Sequence, residues 1–253
     1  LLDLPLLQRD YASWARHAVA QAREADREAA AKDWNTALGE IDPAEPADEA
    51  LAAKLADLFK TYLREARSDQ YALSTLPPGR FLMPDDLAGS PALTFAPLDA
   101  KGADSFPRGS LWSLMERRYE AYKTYVVRPF FRDHFARLDR QVVLIDMLAA
   151  LNGGPAAVAD LERAMTEILE CFRTGANNLW SNLFAPRIDR IVLAATKADH
   201  LHHESHDRLE AILSLLTDKA LARARYRGAD VNVLALAAIR ATQEGEAKRG
   251  TQT

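Results

Sequence analysis

Three short apolar runs in the second half of the chain constrain its fold more than any other feature. They read QVVLID at 141–146, IDRIVLAA at 188–195 and VNVLALAA at 231–238. Between them lie stretches with helical spacing: Val158 to Phe172, with Leu161, Met165, Ile168 and Leu169 on one side, and Ser205 to Arg225. Runs of six to eight residues match strands in length. Periodicity alone also admits buried helix segments, but the β-branched Val142, Val143, Ile145, Val192, Val231 and Val233 favour strands. Strand, helix, strand, helix, strand with near-continuous apolar strands predicts an α/β fold with a parallel sheet covered by helices on both faces. Three strands make a thin sheet, so further strands are expected beside them.

The first half has a different rhythm. Residues from Gln8 to about Lys32 read as one helix, and DPAEPAD at 42–48 breaks the pattern. Leu51, Leu55, Leu58, Phe59 and Tyr62 then mark a second helix. Pro77, Pro78 and Gly79 close it, and FLMPDDLAGSPALTFAPL at 81–98 predicts an ordered, proline-rich loop. Ser110 is placed to cap a long helix to about His134, with Pro129 positioned to kink or divide it. Its aromatic stripe, Tyr119, Tyr122 and Tyr125, has the spacing of a buried face. Arg117, Arg118, Lys123, Arg128 and Arg132 fit a solvated face at least as well as a phosphate-binding one. The division expected is 1–137, a helical unit with an ordered loop, and 138–253, an α/β unit.

Composition enters as exclusion. Thirty-two basic against thirty-six acidic residues give a net charge of −4, which offers no general field for nucleic acid. The single cysteine, Cys171, excludes an internal disulfide and reads as a small core residue of a protein from a reducing compartment, so a cytoplasmic location is expected. No stretch approaches the roughly 18 apolar residues of a membrane span. LLDLPLL at the start lacks a signal-peptide pattern, and the expectation is that the chain begins inside a gene product.

The chemistry concentrates at Thr196, Lys197, Ala198 and Asp199, which follow IVLAA at the end where open parallel sheets bind ligands. The two oxygens of Asp199 suit the paired N–H donors of a guanine edge. Lys197 offers an aliphatic stem to lie along a base, and Thr196 a hydroxyl to tie the turn. The same tetrapeptide also fits a plain capped strand-to-helix turn. His200, His202, His203 and His206, with Glu204 and Asp207 nearby, lack the H-E-x-x-H order, and a loop over the base pocket is the expectation rather than a metal site. Asp85, Asp86, Gly89, Ser90 and Thr94 are explained by turn capping, although paired aspartates also suit magnesium. Asp146, just past the first run, is expected to organise its loop.

IVLAATKADHL resembles the base-recognition motif of P-loop GTPases, and LALAAIRAT at 234–242 resembles their later base-contacting strand and loop, which implies base contacts from Ala237, Ala238 and Ile239. Together with FLMPDDLAGSPALTFAPL and RRYEAYKTYVVRPFFRDHFARLDRQVVLID, these segments resemble the YcjX-like family of predicted P-loop NTPases over almost the whole chain. The resemblance implies an incomplete P-loop NTPase-like sheet carrying a large helical insertion. It implies binding of GTP or GDP, with ATP as the alternative, and hydrolysis assisted by Mg in the complete protein. The sequence contains no G-x-x-x-x-G-K-[ST], so no catalytic residue is assigned, and the piece by itself is expected to be inactive. The alternative is a noncatalytic module whose helical insertion binds a protein partner or a peripheral membrane surface.

Overall fold

The computed structural model describes residues 2–135, 140–171, 190–202, 205–226 and 230–237. A 3-10 turn at Leu4–Gln8 leads into α1 (Tyr11–Ala22), α2 (Lys32–Glu40) and α3 (Glu49–Arg67). After the single turn α4 (Gly79–Leu82) comes the proline-rich loop, which contains only two further 3-10 turns. Next are α5 (Leu111–Tyr122) and the short α6 (Arg128–Phe130), and then β1 (Arg140–Ile145), α7 (Met147–Gly153), α8 (Pro155–Cys171), β2 (Arg190–Ala195), α9 (His206–Tyr226) and β3 (Asp230–Ala235).

Two hydrophobic cores divide these elements. The first, spanning Leu6 to Val127, is built on aromatic rings. Trp14 stacks on Tyr119 at 4.7 Å between centroids and meets Tyr11, Phe59 and Phe95 at tilted or edge-on angles. The aromatic stripe of α5 is therefore packing, with Tyr119 and Tyr122 fully buried. Tyr125 departs from that pattern, being 78% exposed. It falls in a π-helical stretch, Lys123–Val127, and a second one follows at Phe131–Phe135. Pro129 lies between them. It has no N–H to give the ladder, and widening the helix on both sides lets the chain pass it without a break. The widening also turns Tyr125 off the buried stripe.

Where the sequence predicts one helix from Gln8 to about Lys32, α1 stops at Ala22 and residues 23–31 form turns; α2, starting at Lys32, is a further helix beyond the expected one. The reason for the early stop is Arg27, which is 1% exposed and points out of the turns toward α8. Its guanidinium bonds the carboxylate of Asp160, the hydroxyl of Tyr62 and the carbonyl of Thr75. Asp160 Oδ2 also accepts the backbone N–H groups of Ser74 and Thr75 at 2.6 and 2.8 Å. One buried ion pair thus fastens the helical half to the α/β half. Arg9 to Glu167 at 2.9 Å and Arg163 to Glu24 at 3.0 Å add more exposed links along the same seam.

The second core joins the sheet to α8 and α9. The sheet is parallel throughout, in the order β1, β2, β3, and its register aligns Ile145, Ala195 and Ala235 at the carboxyl edge. Val143 and Ile145, Ile191 and Leu193, and Val231 and Val233 meet Leu161, Met165, Leu209 and Leu213 of the two helices. Both helices therefore lie on one face. On the opposite face, also expected to be covered, Val142 and Leu144 of the edge strand β1 are 59% and 62% exposed among the described residues.

Helix α7, like α2, is not marked by the apolar spacing that predicts the other helices. It is capped by Asp146, whose side chain accepts the N–H of Ala149, and it ends at Gly154 with φ 87°. Gly153 touches the helical half. A Cβ there would stand 2.9 Å from Ala72 Cβ and 2.8 Å from Ala157 Cβ. Gly153→Ala is expected to destabilise the protein by about 1–3 kcal/mol through overpacking, measured by urea denaturation. A variant as stable as the parent would show that the contact yields freely.

Candidate functional site: the carboxyl edge of the sheet

The ends of the three strands are tied together by backbone. Thr196 N–H donates to Ile145 O at 2.8 Å, and its hydroxyl reaches the same oxygen at 3.2 Å. Leu236 N–H donates to Ala195 O at 2.7 Å, and Ala198 N–H to Leu236 O at 3.2 Å. The turn after β2 is thus held from β1 on one side and from the segment after β3 on the other. Glu210 of α9 steadies the third strand by accepting Ala235 N–H at 2.7 Å. His206 places Nε2 2.8 Å from Ala198 O.

Within the turn, Lys197 adopts the left-handed region at φ 61°, and residues Ala198–His200 form a 3-10 turn. This unusual backbone sends the Lys197 side chain back across the end of β1. Its Nζ lies 2.6 Å from Asp146 Oδ2, and the hydrogen bond and charge of Asp146 raise the ammonium above its usual pKa. Asp199 is exposed and carries no hydrogen bond among the described residues. His200 Nε2 lies 3.9 Å from its Oδ2. An exposed carboxylate on the turn past a strand end has two oxygens with which to accept parallel N–H donors.

Of the residues singled out in the sequence, Thr196, Lys197, Asp199 and Ala237 are brought together at this edge, with Ala237 half-buried. Ala238 and Ile239 lie outside the described residues, as do His203 and Glu204 and the side chain of Cys171. Asp85 and Asp86 pair loosely with Arg80 at 3.8 and 3.5 Å. Ser90 caps the turn at Ala92, and Thr94 Oγ1 donates to Pro91 O. Arg118 is engaged by Glu49 and Thr94 O, and Lys123 by Arg9 O and Glu120, so neither belongs to an open basic surface. A cleft of about 670 Å³ between α1 and the loop at 98–106 contains none of the motif residues.

The resemblance implies magnesium for the complete protein only. No group of three or more His, Cys, Asp or Glu comes together among the described residues. Asp146, just past β1, engages its oxygens with Ala149 N–H and Lys197 Nζ.

The model of the YcjX-like family, DUF463, matches residues 1–253. A Ras-like GTPase YcjX of Escherichia coli is 36% identical over 251 residues, covering 97% of this chain and 53% of that protein. A Ras-like GTPase YcjX of Shewanella oneidensis is 35% identical over 257 residues, covering 97% of this chain and 52% of that protein. The chain therefore spans about half the length of the curated relatives it matches. On the family match over its whole length and on these relatives, the chain belongs to the YcjX-like family.

Proposed function

We propose that this chain supplies the base-recognising side of a Ras-like GTPase, with 138–253 as the α/β unit and 1–137 as a helical insertion fastened to it. The observation that carries this reading is the exposed carboxylate of Asp199 on a turn pinned at the carboxyl edge of a parallel sheet. Thr196 fixes the turn, Lys197 lays its stem along the edge, and Asp199 takes the N–H donors of guanine. Ala237 begins the neighbouring segment, with Ala238 and Ile239 completing the contact to the base. GTP or GDP is the preferred ligand. ATP is the lesser alternative, because the adenine edge has no matching pair of donors for a carboxylate. Phosphate contacts, magnesium and hydrolysis would come from polypeptide additional to these residues, which carry no phosphate loop. That polypeptide would also supply strands beside β1 and cover Val142 and Leu144.

A soluble cytoplasmic setting accompanies this reading. Among the described residues no helix is long and apolar enough to cross a membrane. The alternative reading is that the helical half, with Tyr125 exposed on its last helix, contacts a protein partner or a peripheral membrane surface.

Guanosine is the probe that isolates the base, since it needs no phosphate site. Asp199→Ala is expected to weaken its binding by about 1–3 kcal/mol, by analogy with bidentate base contacts. Unchanged titrations with a folded variant would remove Asp199 from the site.

A further inference from the structure

We propose that Asp146 is a positioning residue for base recognition, holding Lys197 across the carboxyl edge so that its stem forms a fixed platform for the base. This rests on the base-site reading above and adds to it a residue from a different strand.

Three observations converge on Asp146. Its Oδ2 lies 2.6 Å from Lys197 Nζ, while its Oδ1 accepts Ala149 N–H at 3.1 Å, so the carboxylate itself is fixed by α7. The register places Ile145 opposite Ala195, so Asp146 and Thr196 are the first residues past the two adjacent strand ends. Ile145 O already holds both the N–H and the hydroxyl of Thr196, leaving Lys197 to reach back over that junction. The left-handed backbone at Lys197 is what aims it there.

The physical consequence is preorganisation. A lysine stem has four rotatable bonds, and a free one loses most of that freedom when a base lies on it. With its ammonium tied to Asp146, the stem is extended before the base arrives. The exposed pair contributes little to folding. Its effect belongs to binding, because a base seated on the stem shields the pair from water.

Asp146→Asn keeps an oxygen for Ala149 N–H while removing the charge that holds the ammonium. In the 253-residue chain, guanosine titrated by NMR is expected to bind Asp146→Asn about fivefold more weakly. In a Lys197→Gln background the same change is expected to have no further effect, which a role acting only through α7 would not produce. Asp146→Glu is expected to restore part of the loss. Lys197 should also react faster with trace acetic anhydride in Asp146→Asn, because losing the partner lowers the amine pKa and exposes more free base. Equal losses with and without Lys197, or unchanged affinity in Asp146→Asn, would overturn the proposal while leaving the base site standing. Absence of guanosine binding by the parent chain would overturn the base site and this role with it, and the acylation rates would then report on the ion pair alone.

Discussion

Asp160→Ala is expected to lower the unfolding free energy by about 3–5 kcal/mol, the range found when one partner of a buried ion pair is removed. Both side chains are 1% exposed. The variant leaves the Arg27 guanidinium without its counter-charge and takes the acceptor from Ser74 and Thr75 N–H. Arg27→Met combined with Asp160→Leu should recover much of the loss, since apolar replacement of a whole buried pair is often close to neutral. Urea denaturation followed by circular dichroism and tryptophan fluorescence measures both. The tryptophans Trp14, Trp34 and Trp112 report on the helical core. A seam held mainly elsewhere would show as a loss below about 1 kcal/mol.

Trp14→Ala is expected to cost about 3–5 kcal/mol, as large-to-small changes of buried aromatics do. Trp14 is 0% exposed at the centre of the helical core and touches four other rings. The cavity it leaves is walled by rigid aromatics that cannot collapse into it. Tyr125→Ala serves as the control, with a change within about 0.5 kcal/mol, because a ring 78% exposed has little packing to lose. Similar losses in the two variants would contradict the assignment of a single aromatic core between Leu6 and Val127.

The strands were legible because β-branched residues cluster at Val142, Val143 and Val192, and the parallel order followed from the helices between them. Ser110 was legible as a cap because its hydroxyl competes locally for Ser113 N–H, an interaction that short-range sequence encodes. The early end of the first helix at Ala22 was not legible. It depends on Arg27 finding Asp160, 133 positions away, and no local signal marks a guanidinium destined for burial. Helix α7 carried a usable signal in Asp146 before MLAAL and in Gly153, Gly154 and Pro155 after it, a cap and a stop around one short apolar run. The motif residues Thr196 to Asp199 stood out by following a strand. The link from Lys197 to Asp146 did not, since it requires the register of two strands and a left-handed residue at once. The exposed face at Val142 and Leu144 was equally hidden, because an apolar strand reads alike whether both faces are covered or one.

Guanosine and inosine differ only in the 2-amino group that a carboxylate at Asp199 would bind. Titrating both into the chain, and into Asp199→Ala, therefore tests the base-recognition claim most directly. Guanosine is expected to bind more tightly than inosine by about 1–3 kcal/mol, a difference that vanishes in Asp199→Ala. Equal binding of the two nucleosides by the parent chain, or a preference for adenosine over both, would contradict the claim.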